Sequence, residues 1–186
     1  VNGELDMDVD IHVYKPKSYK FDTLESLHEH VASTHPAETS GLVVFAPGNK
    51  QFKVSSCDYV RMFNVRGNQP SVKFRYLQIR MDKYANDTLR VMYPSSVPEL
   101  DEYETFLDKI ASNIHKTYMK RFIDKEFVTA PVGEYVVIKI AHKWYWNDRD
   151  NRRVTIRVIR EILDEQKATS LNQMIKKYKH DLYMDQ

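Results

Sequence analysis

The sequence has little of what secreted, metal-binding and membrane proteins need. It has one cysteine, Cys57, so no disulfide can form within the chain, and this usage fits an intracellular reducing compartment. The seven histidines and the single cysteine show no metal-site spacing. No run approaches the roughly 20 apolar residues that a membrane span requires, and no N-terminal run has the character of a signal peptide. These absences predict a globular protein with no resident metal and no membrane partner.

Charges of both signs are plentiful but unevenly distributed. The formal net charge is +2, yet residues 1–38 carry eight acids against three lysines, while residues 50–90 carry nine bases against three acids. A local surplus of that size predicts an anionic partner, with RNA as the first candidate. The alternative is a solvated basic face that binds nothing, and the charge pattern alone leaves both open.

The first forty residues indicate one strand and one helix. Residues 9–20 alternate loosely and contain Pro16, which predicts a short edge strand running into a loop. Asp22, with Glu25 three residues later, predicts the N-cap of a helix. That helix should end before Pro36, because the residue before a proline is disfavoured in the helical conformation.

A β-hairpin is predicted next. Two runs rich in β-branched and aromatic residues, 41–45 and 51–55, flank the turn signal Pro47-Gly48-Asn49.

The rest of the chain has mostly helical periodicity. Ser96-Val97-Pro98-Glu99 is a capping-box pattern that opens a long amphipathic helix reaching Phe122, and a strand over residues 135–140 stays open as an alternative to helix. The other helical stretches are residues 71–84, 134–146, 151–166 and 170–183. With the breaker cluster at 66–70 as the boundary, the prediction is an α+β protein. Residues 1–66 would form a small antiparallel sheet with a helix, and residues 67–186 a mostly helical domain.

The hairpin segment carries the most specific chemistry. A small-residue strand, Ser40-Gly41-Leu42-Val43-Val44, leads into the turn, and Lys53 lies on the return strand. This order resembles the last two nucleotidyl-transfer motifs of the RNA ligase and capping enzyme superfamily, a Glu-Gly-aliphatic-Val-Val strand and a Lys-x-Lys strand. The aromatic Tyr59 and the helical tail make the resemblance closest to phage-type and large-virus relatives of RNA ligase 1.

The resemblance implies a particular reaction and particular site residues. In these ligases a lysine attacks the α-phosphate of ATP, the AMP moves to an RNA 5′-phosphate, and a 3′-hydroxyl displaces it. Cations near the phosphates and a carboxylate near the divalent metal assist this chemistry. The nucleotide- or phosphate-binding candidates that match are Glu38, Ser40, Lys50, Lys53 and Ser55. ATP and Mg²⁺ would be cofactors of an active ligase, and no cofactor is expected for this chain alone.

The departures from the family pattern are substantial. Ser40 stands where the motif glutamate belongs, Ser55 stands where the second lysine belongs, and Glu38 lies two residues before Ser40 on the expected strand. The nucleophile motif, a lysine followed by one residue and then Asp-Gly, is missing, because the chain has no Asp-Gly dipeptide. We therefore expect no catalytic residue here. The first residue is Val1 rather than Met, which is typical of a processed or truncated product.

Arginines supply the RNA-binding candidates. Arg61 and Arg66 follow the hairpin, and Arg149, Arg153 and Arg157 repeat every four residues, so a helix would align them on one face. Guanidinium groups on such a face would follow a phosphate backbone. The alternative is a solvated helix face whose arginines pair with nearby carboxylates.

An aromatic and basic segment, His142-Lys143-Trp144-Tyr145-Trp146, has two interpretations. Bases could stack on exposed rings. Alternatively, Trp144 fills the core and Trp146 caps the interface with the next helix.

Three functions are consistent with these features. The first is an RNA-ligase-derived module that is not catalytic by itself and binds RNA or another anionic partner through its hairpin and helical domain. The second is a structural subunit of a viral or ribonucleoprotein assembly, with other protein subunits as partners. The third is a fragment of an active ATP-dependent RNA ligase whose N-terminal half is elsewhere. A cytoplasmic or virion-associated location is expected for all three.

Overall fold

The computed structural model describes residues 16–36, 38–48 and 50–184, and the chain divides into two compact units, Val1–Val65 and Arg66–Gln186. The first unit contains α1 (Leu24–Ser33), β1 (Leu42–Ala46), β2 (Lys50–Val54) and most of α2 (Cys57–Arg66). The second contains α3 (Val72–Ile79), α4 (Lys83–Met92), a 3₁₀ turn (Pro94–Ser96), α5 (Val97–Phe122), α6 (Val132–Trp146), α7 (Ile156–Asp164) and α8 (Ala168–Met184). The predicted α+β class is confirmed. No described helix combines the length and apolar character needed to cross a membrane.

The predicted hairpin is confirmed, with its strands shifted slightly from the expected bounds. β1 and β2 are antiparallel, with Leu42 opposite Val54 and Val44 opposite Phe52. Gly41, just before β1, has a φ of 133°, and a Cβ there would lie 2.0 Å from the carbonyl oxygen of Val54. Only glycine fits this position, because both the backbone conformation and the neighbouring strand exclude a side chain.

Helix α1 begins one residue later than the predicted cap implies. Thr23, not Asp22, is the N-cap, and its Oγ1 accepts a hydrogen bond from the Ser26 backbone N–H at 3.1 Å. A hydroxyl and a carboxylate are comparable caps, so the choice depends on where the backbone turns rather than on side-chain preference. The helix ends before Pro36, as predicted. Residues 16–20 form no strand, and the rest of the edge strand predicted over 9–20 lies outside the described residues.

Helix α2 was not predicted from the sequence. Ser56 is buried, and its Oγ accepts a hydrogen bond from the Tyr59 backbone N–H at 3.1 Å, which satisfies one free donor of the first turn. Cys57, the first helical residue, is exposed. Val60 and Phe63 are also exposed, so α2 lacks the apolar stripe that marks most helices in a sequence. The sequence signal for α2 was Ser56 as a helix N-cap, with the acidic Asp58 in the first turn.

The single helix predicted over residues 71–84 is wrong, because a second cap interrupts it. The Asp82 carboxylate accepts a hydrogen bond from the Ala85 backbone N–H at 3.0 Å and starts α4. The prediction that the Ser96 side chain caps α5 is also wrong. Ser96 precedes α5, but its side chain makes no capping hydrogen bond.

Helix α5 is the centre of the second unit and packs against α6, α7 and α8. Leu100, Leu107, Ile110 and Ile114 on α5 are fully buried, as their spacing predicts. The alternative of a strand over 135–140 is excluded because these residues lie within α6.

A part-buried ionic cluster joins α3, α5 and α7. The Arg80 guanidinium contacts the carboxylates of Glu104 and Asp164, and Arg160 contacts both of the same carboxylates. The Tyr76 hydroxyl donates to Glu104 at 2.7 Å. Burial, together with the hydrogen bond to Glu104, raises the pKa of Tyr76 to about 12. These ion pairs link the three helices, and Arg160 Nη1 is buried without a hydrogen-bond partner in the described structure.

Candidate nucleic-acid interface

The densest basic and aromatic surface of the second unit spans residues 142–157, and we call it the basic–aromatic surface. It includes the last turn of α6, the connection to α7 and the first turn of α7. It holds five bases and two acids, and three tryptophan or tyrosine rings in succession. A local excess of positive charge next to aromatic rings is the combination that single-stranded nucleic acids require.

The predicted helical face of Arg149, Arg153 and Arg157 is wrong. Thr155 caps α7, with its Oγ1 accepting a hydrogen bond from the Val158 backbone N–H at 3.3 Å. Arg149 and Arg153 therefore lie in the connection before the helix, and Arg157 alone lies on it. The four-residue spacing of the arginines is compatible with a helix, but the Thr155 cap makes the helix begin at Ile156.

The three arginines nevertheless remain exposed on the surface. Arg153 Nη1 donates to the backbone carbonyls of Arg149 at 2.8 Å and Arg152 at 2.7 Å, which stiffens the connection. Arg157 has an 86% exposed side chain, and its Nε lies 3.5 Å from Glu161 Oε1. Exposed ion pairs of this kind contribute little free energy, so a phosphate can replace the carboxylate at small cost.

The two tryptophans differ in their environments. Trp144 is half-buried, and the Arg152 guanidinium lies 4.9 Å from its ring centroid and donates to its carbonyl at 2.9 Å. Trp146 is 56% exposed, and Arg149 lies 5.9 Å from its ring centroid. Trp144 is thus not a fully buried core residue, and Trp146 presents its ring to solvent rather than closing an interface with the next helix.

His142 holds the inner edge of this surface. Its ring stacks on Phe122 at 3.8 Å between centroids, and its Nε2 accepts a hydrogen bond from the Trp146 indole Nε1 at 2.6 Å. Its Nδ1 lies 3.3 Å from the Tyr118 hydroxyl. Burial lowers the pKa of His142 from its usual value of 6.5. The neutral ring that burial favours is also the form whose Nε2 can accept a hydrogen bond from the indole N–H.

The hairpin candidates do not gather into one phosphate site. Lys53 lies opposite Val43 and Lys50 opposite Ala46, so the two lysines are on opposite faces of the hairpin. Glu38 lies in a turn, with its N–H donating to the His35 carbonyl at 2.9 Å, so its expected place on the strand is wrong. The Lys53 ammonium lies 5.5 Å from the ring centroid of Tyr59.

The remaining hairpin candidates flank the strands. Ser40 precedes β1 and Ser55 follows β2, and both are half-buried. Across the described ranges, no group of three or more histidine, cysteine, aspartate or glutamate side chains is arranged to hold a metal ion.

The two arginines after the hairpin have different roles. Arg61 is exposed, with its Nη1 3.1 Å from Asp58. Arg66 is used internally, because its Nε donates to the Tyr93 hydroxyl at 2.8 Å and its two terminal nitrogens donate to the carbonyls of Gln69 and Pro70. Arg66 therefore closes the turn before α3, and only Arg61 is open to a ligand in the way the sequence predicted.

Comparisons with known proteins give viral relatives. No protein-family model matches the chain, and no solved structure matches it. The chain is similar to an immediate-early protein ICP-46 homolog of Invertebrate iridescent virus 6, with 28% identity over 158 residues, covering 78% of this chain and 35% of the relative. A protein with the same description from Invertebrate iridescent virus 3 is 24% identical over 156 residues, covering 80% of this chain and 34% of the relative. The chain thus spans about a third of the length of these relatives.

Proposed function

We propose that this chain is an RNA-binding module, derived from an RNA-ligase-like nucleotidyltransferase and not catalytic by itself. The observation that carries the proposal is the basic–aromatic surface, where the exposed indole of Trp146 has the Arg149 guanidinium 5.9 Å from its ring centroid and Arg153 and Arg157 are also exposed. Phosphate contacts provide most of the affinity of such proteins, and stacking provides sequence-tolerant binding of bases.

Arg149 and Arg157 suit phosphate better than they suit their present partners. Arg149 Nε lies 3.8 Å from Asp150, and both side chains are more than half exposed. Arg157 and Glu161 are similarly exposed. Each of these two arginines meets its carboxylate through one long contact, whereas a phosphate of a nucleic acid can accept two parallel hydrogen bonds and its binding releases counterions from the strand.

The hairpin would supply further contacts from the first unit. Lys53 and Lys50 are exposed, as is Arg61 on α2. Because the two lysines point to opposite faces, a phosphate bound by Lys53 would not also contact Lys50.

The test is the salt dependence of binding to single-stranded RNA, measured by fluorescence anisotropy. The triple variant Arg149→Gln, Arg153→Gln, Arg157→Gln should weaken binding and lower the slope of log K against log salt by about 2, since each contact to a single strand contributes roughly 0.7.

A control of equal charge change separates this site from general electrostatics. Lys83→Gln, Lys109→Gln, Lys176→Gln removes three exposed charges from α4, α5 and α8. We expect this variant to change the slope much less. Equal slopes for the two triple variants would contradict the proposal, as would absence of RNA binding by the wild-type chain.

A second candidate, a structural subunit of a larger assembly, has one observation in its favour. The hairpin exposes Val43 and Phe45 on one face and Phe52 on the other, and neighbouring exposed apolar residues often mark protein interfaces. This candidate expects a stoichiometric protein complex that Phe45→Ser disrupts, together with no salt-dependent RNA binding.

The third candidate, a fragment of an active ligase, is tested by the formation of a covalent lysine–AMP adduct. The chain alone should form no covalent lysine–AMP adduct when incubated with ATP labelled at the α-phosphate and Mg²⁺. An adduct on this chain would overturn the statement that it is not catalytic by itself.

A further inference from the structure

The exposed ring of Trp146 is the least explained part of the basic–aromatic surface. A tryptophan at the end of a helix usually covers neighbouring apolar groups, yet this side chain is 56% exposed. The ring is also held in place, because its Nε1 donates to His142 Nε2 at 2.6 Å. An exposed ring with a fixed orientation loses little conformational entropy on binding a ligand.

The neighbouring rings leave the indole available for stacking. His142 meets it at an interplanar angle of 83° and Tyr145 at 69°, so both make edge contacts rather than parallel stacks. The Arg149 guanidinium lies over one part of the ring, 5.9 Å from its centroid. A planar group that stacks on the indole would therefore lie beside a guanidinium that can bind an anion.

A nucleotide with an unpaired base matches this arrangement in both of its parts. Its base is planar and stacks on aromatic rings whatever its identity, and its phosphate is the preferred ligand of a guanidinium. A base within a duplex is stacked on its neighbours and offers no free face to a side chain. Five bases against two acids in residues 142–157 give the charge that a phosphate chain needs.

We propose that Trp146 is a stacking platform for an unpaired nucleobase, with Arg149 binding the adjacent phosphate, so that this surface takes single-stranded rather than duplex RNA. This inference rests on the RNA-binding function proposed above and adds to it the class of RNA. His142 contributes by fixing the edge of the indole.

The experiment compares a uridine oligomer of about 12 nucleotides with a duplex RNA of similar length, using the full chain and fluorescence anisotropy. Trp146→Ala should weaken single-strand binding roughly 5- to 150-fold, which is the effect of losing one stacked base. Trp146→Phe should keep much of that affinity, because a smaller ring still stacks. Neither change should alter duplex binding appreciably.

Phe127→Ala is the matched control, because Phe127 is a 92% exposed aromatic residue outside this surface. It should leave binding to both RNAs unchanged. Equal losses for single-strand and duplex RNA in Trp146→Ala, or no loss for either, would overturn the stacking role.

The triple arginine variant separates the proposal that this surface binds RNA from the proposal that Trp146 stacks on a base. If it weakens binding while Trp146→Ala does not, RNA binding by this surface stands and the stacking role fails. If the triple variant has no effect beyond its charge control, the surface does not bind RNA, and both proposals fail. Circular dichroism of each variant confirms that the helical content is unchanged, which the exposure of these residues leads us to expect.

Discussion

Gly41 makes the closest approach between the chain entering β1 and the end of β2. Its φ of 133° and the 2.0 Å separation that a Cβ would have from Val54 O leave no room for alanine. Gly41→Ala should destabilise the hairpin by about 2 kcal/mol or more, through backbone strain added to a steric clash. The measurement is amide hydrogen exchange across residues 42–54, where protection should fall sharply.

Gly48→Ala is the matched control for this prediction. Gly48 also has a positive φ, 78°, but a Cβ there would meet nothing within 4 Å. Its cost should be about 1 kcal/mol from the backbone conformation alone. If Gly41→Ala lowered the free energy of unfolding no more than Gly48→Ala does, the close approach of Gly41 to Val54 would be incorrect.

His142 makes stability depend on pH in a defined direction. Burial lowers its pKa in the folded protein below the usual value of 6.5, so between these two values the unfolded chain binds more protons than the folded one. The resulting stability is fully present above about pH 6.5 and is lost as the pH falls through the lowered pKa. His142→Gln removes this titration and leaves the other histidines in place.

We therefore expect the free energy of unfolding to fall more for the wild type than for His142→Gln between about pH 7.5 and about pH 5.5. Urea denaturation at the two pH values is the measurement. Parallel losses in the two proteins would show that His142 is as easily protonated in the folded chain as in the unfolded one.

The sequence predicts which way the hairpin lysines face, but it does not predict the exposure of Trp146. The alternation of strands already predicts that Lys50 and Lys53, three residues apart, face opposite sides of a hairpin. The exposure of Trp146 could not be predicted in the same way. Trp144 and Trp146 are both compatible with the apolar pattern of α6, and which of them is covered depends on the path of the chain after that helix.

Helix caps set the first turns of α4 and α7 but not that of α5. Asp82 and Thr155 accept hydrogen bonds from backbone N–H groups in the first turns of α4 and α7, whereas Ser96 makes no such bond to α5. Asp82→Ala and Thr155→Ala should each lower the free energy of unfolding by about 1 kcal/mol. Ser96→Ala should stay within about 0.5 kcal/mol of the wild type.

Urea denaturation of the three variants checks this ranking under identical conditions. A loss for Ser96→Ala as large as that for Asp82→Ala would mean that Ser96 caps α5 in solution. The comparison matters because the sequence favours Ser96 as the strongest cap of the three, since a proline and a glutamate follow it in the order of a capping box.

The elements themselves were predictable to different degrees. The long apolar stripe of α5 and the turn of the hairpin are strong local signals, and both elements are found. Helix α2 has almost no stripe, and the arginines of residues 149–157 have helical spacing without helical structure. In these cases a single backbone N–H hydrogen bond accepted by the Ser56 or Thr155 hydroxyl outweighs the pattern of the surrounding residues.

At the scale of the whole molecule, the two units differ in how much core they contain. The buried apolar residues found in the described chain belong to residues 66–186, with the exceptions of Leu27, Val31 and Val65. The ionic cluster of Arg80, Glu104, Asp164 and Arg160 also lies within that unit.

We therefore expect a fragment of residues 66–186 to fold by itself into the helical unit. Circular dichroism and a cooperative thermal transition measure this directly. A fragment of residues 16–65 should show at most a weak transition, because a two-stranded hairpin with a few buried apolar residues is marginal in water. A non-cooperative fragment of residues 66–186 would mean that its core is incomplete.

Cys57 gives the folded protein a convenient chemical handle. It is the chain's one thiol and is exposed at the start of α2, whereas both tryptophans belong to the second unit. A maleimide dye would consequently attach at a single position in the first unit, while intrinsic fluorescence would come from the other. Two spectroscopic signals, one from each unit, could then be followed in the same cuvette without any engineered residue.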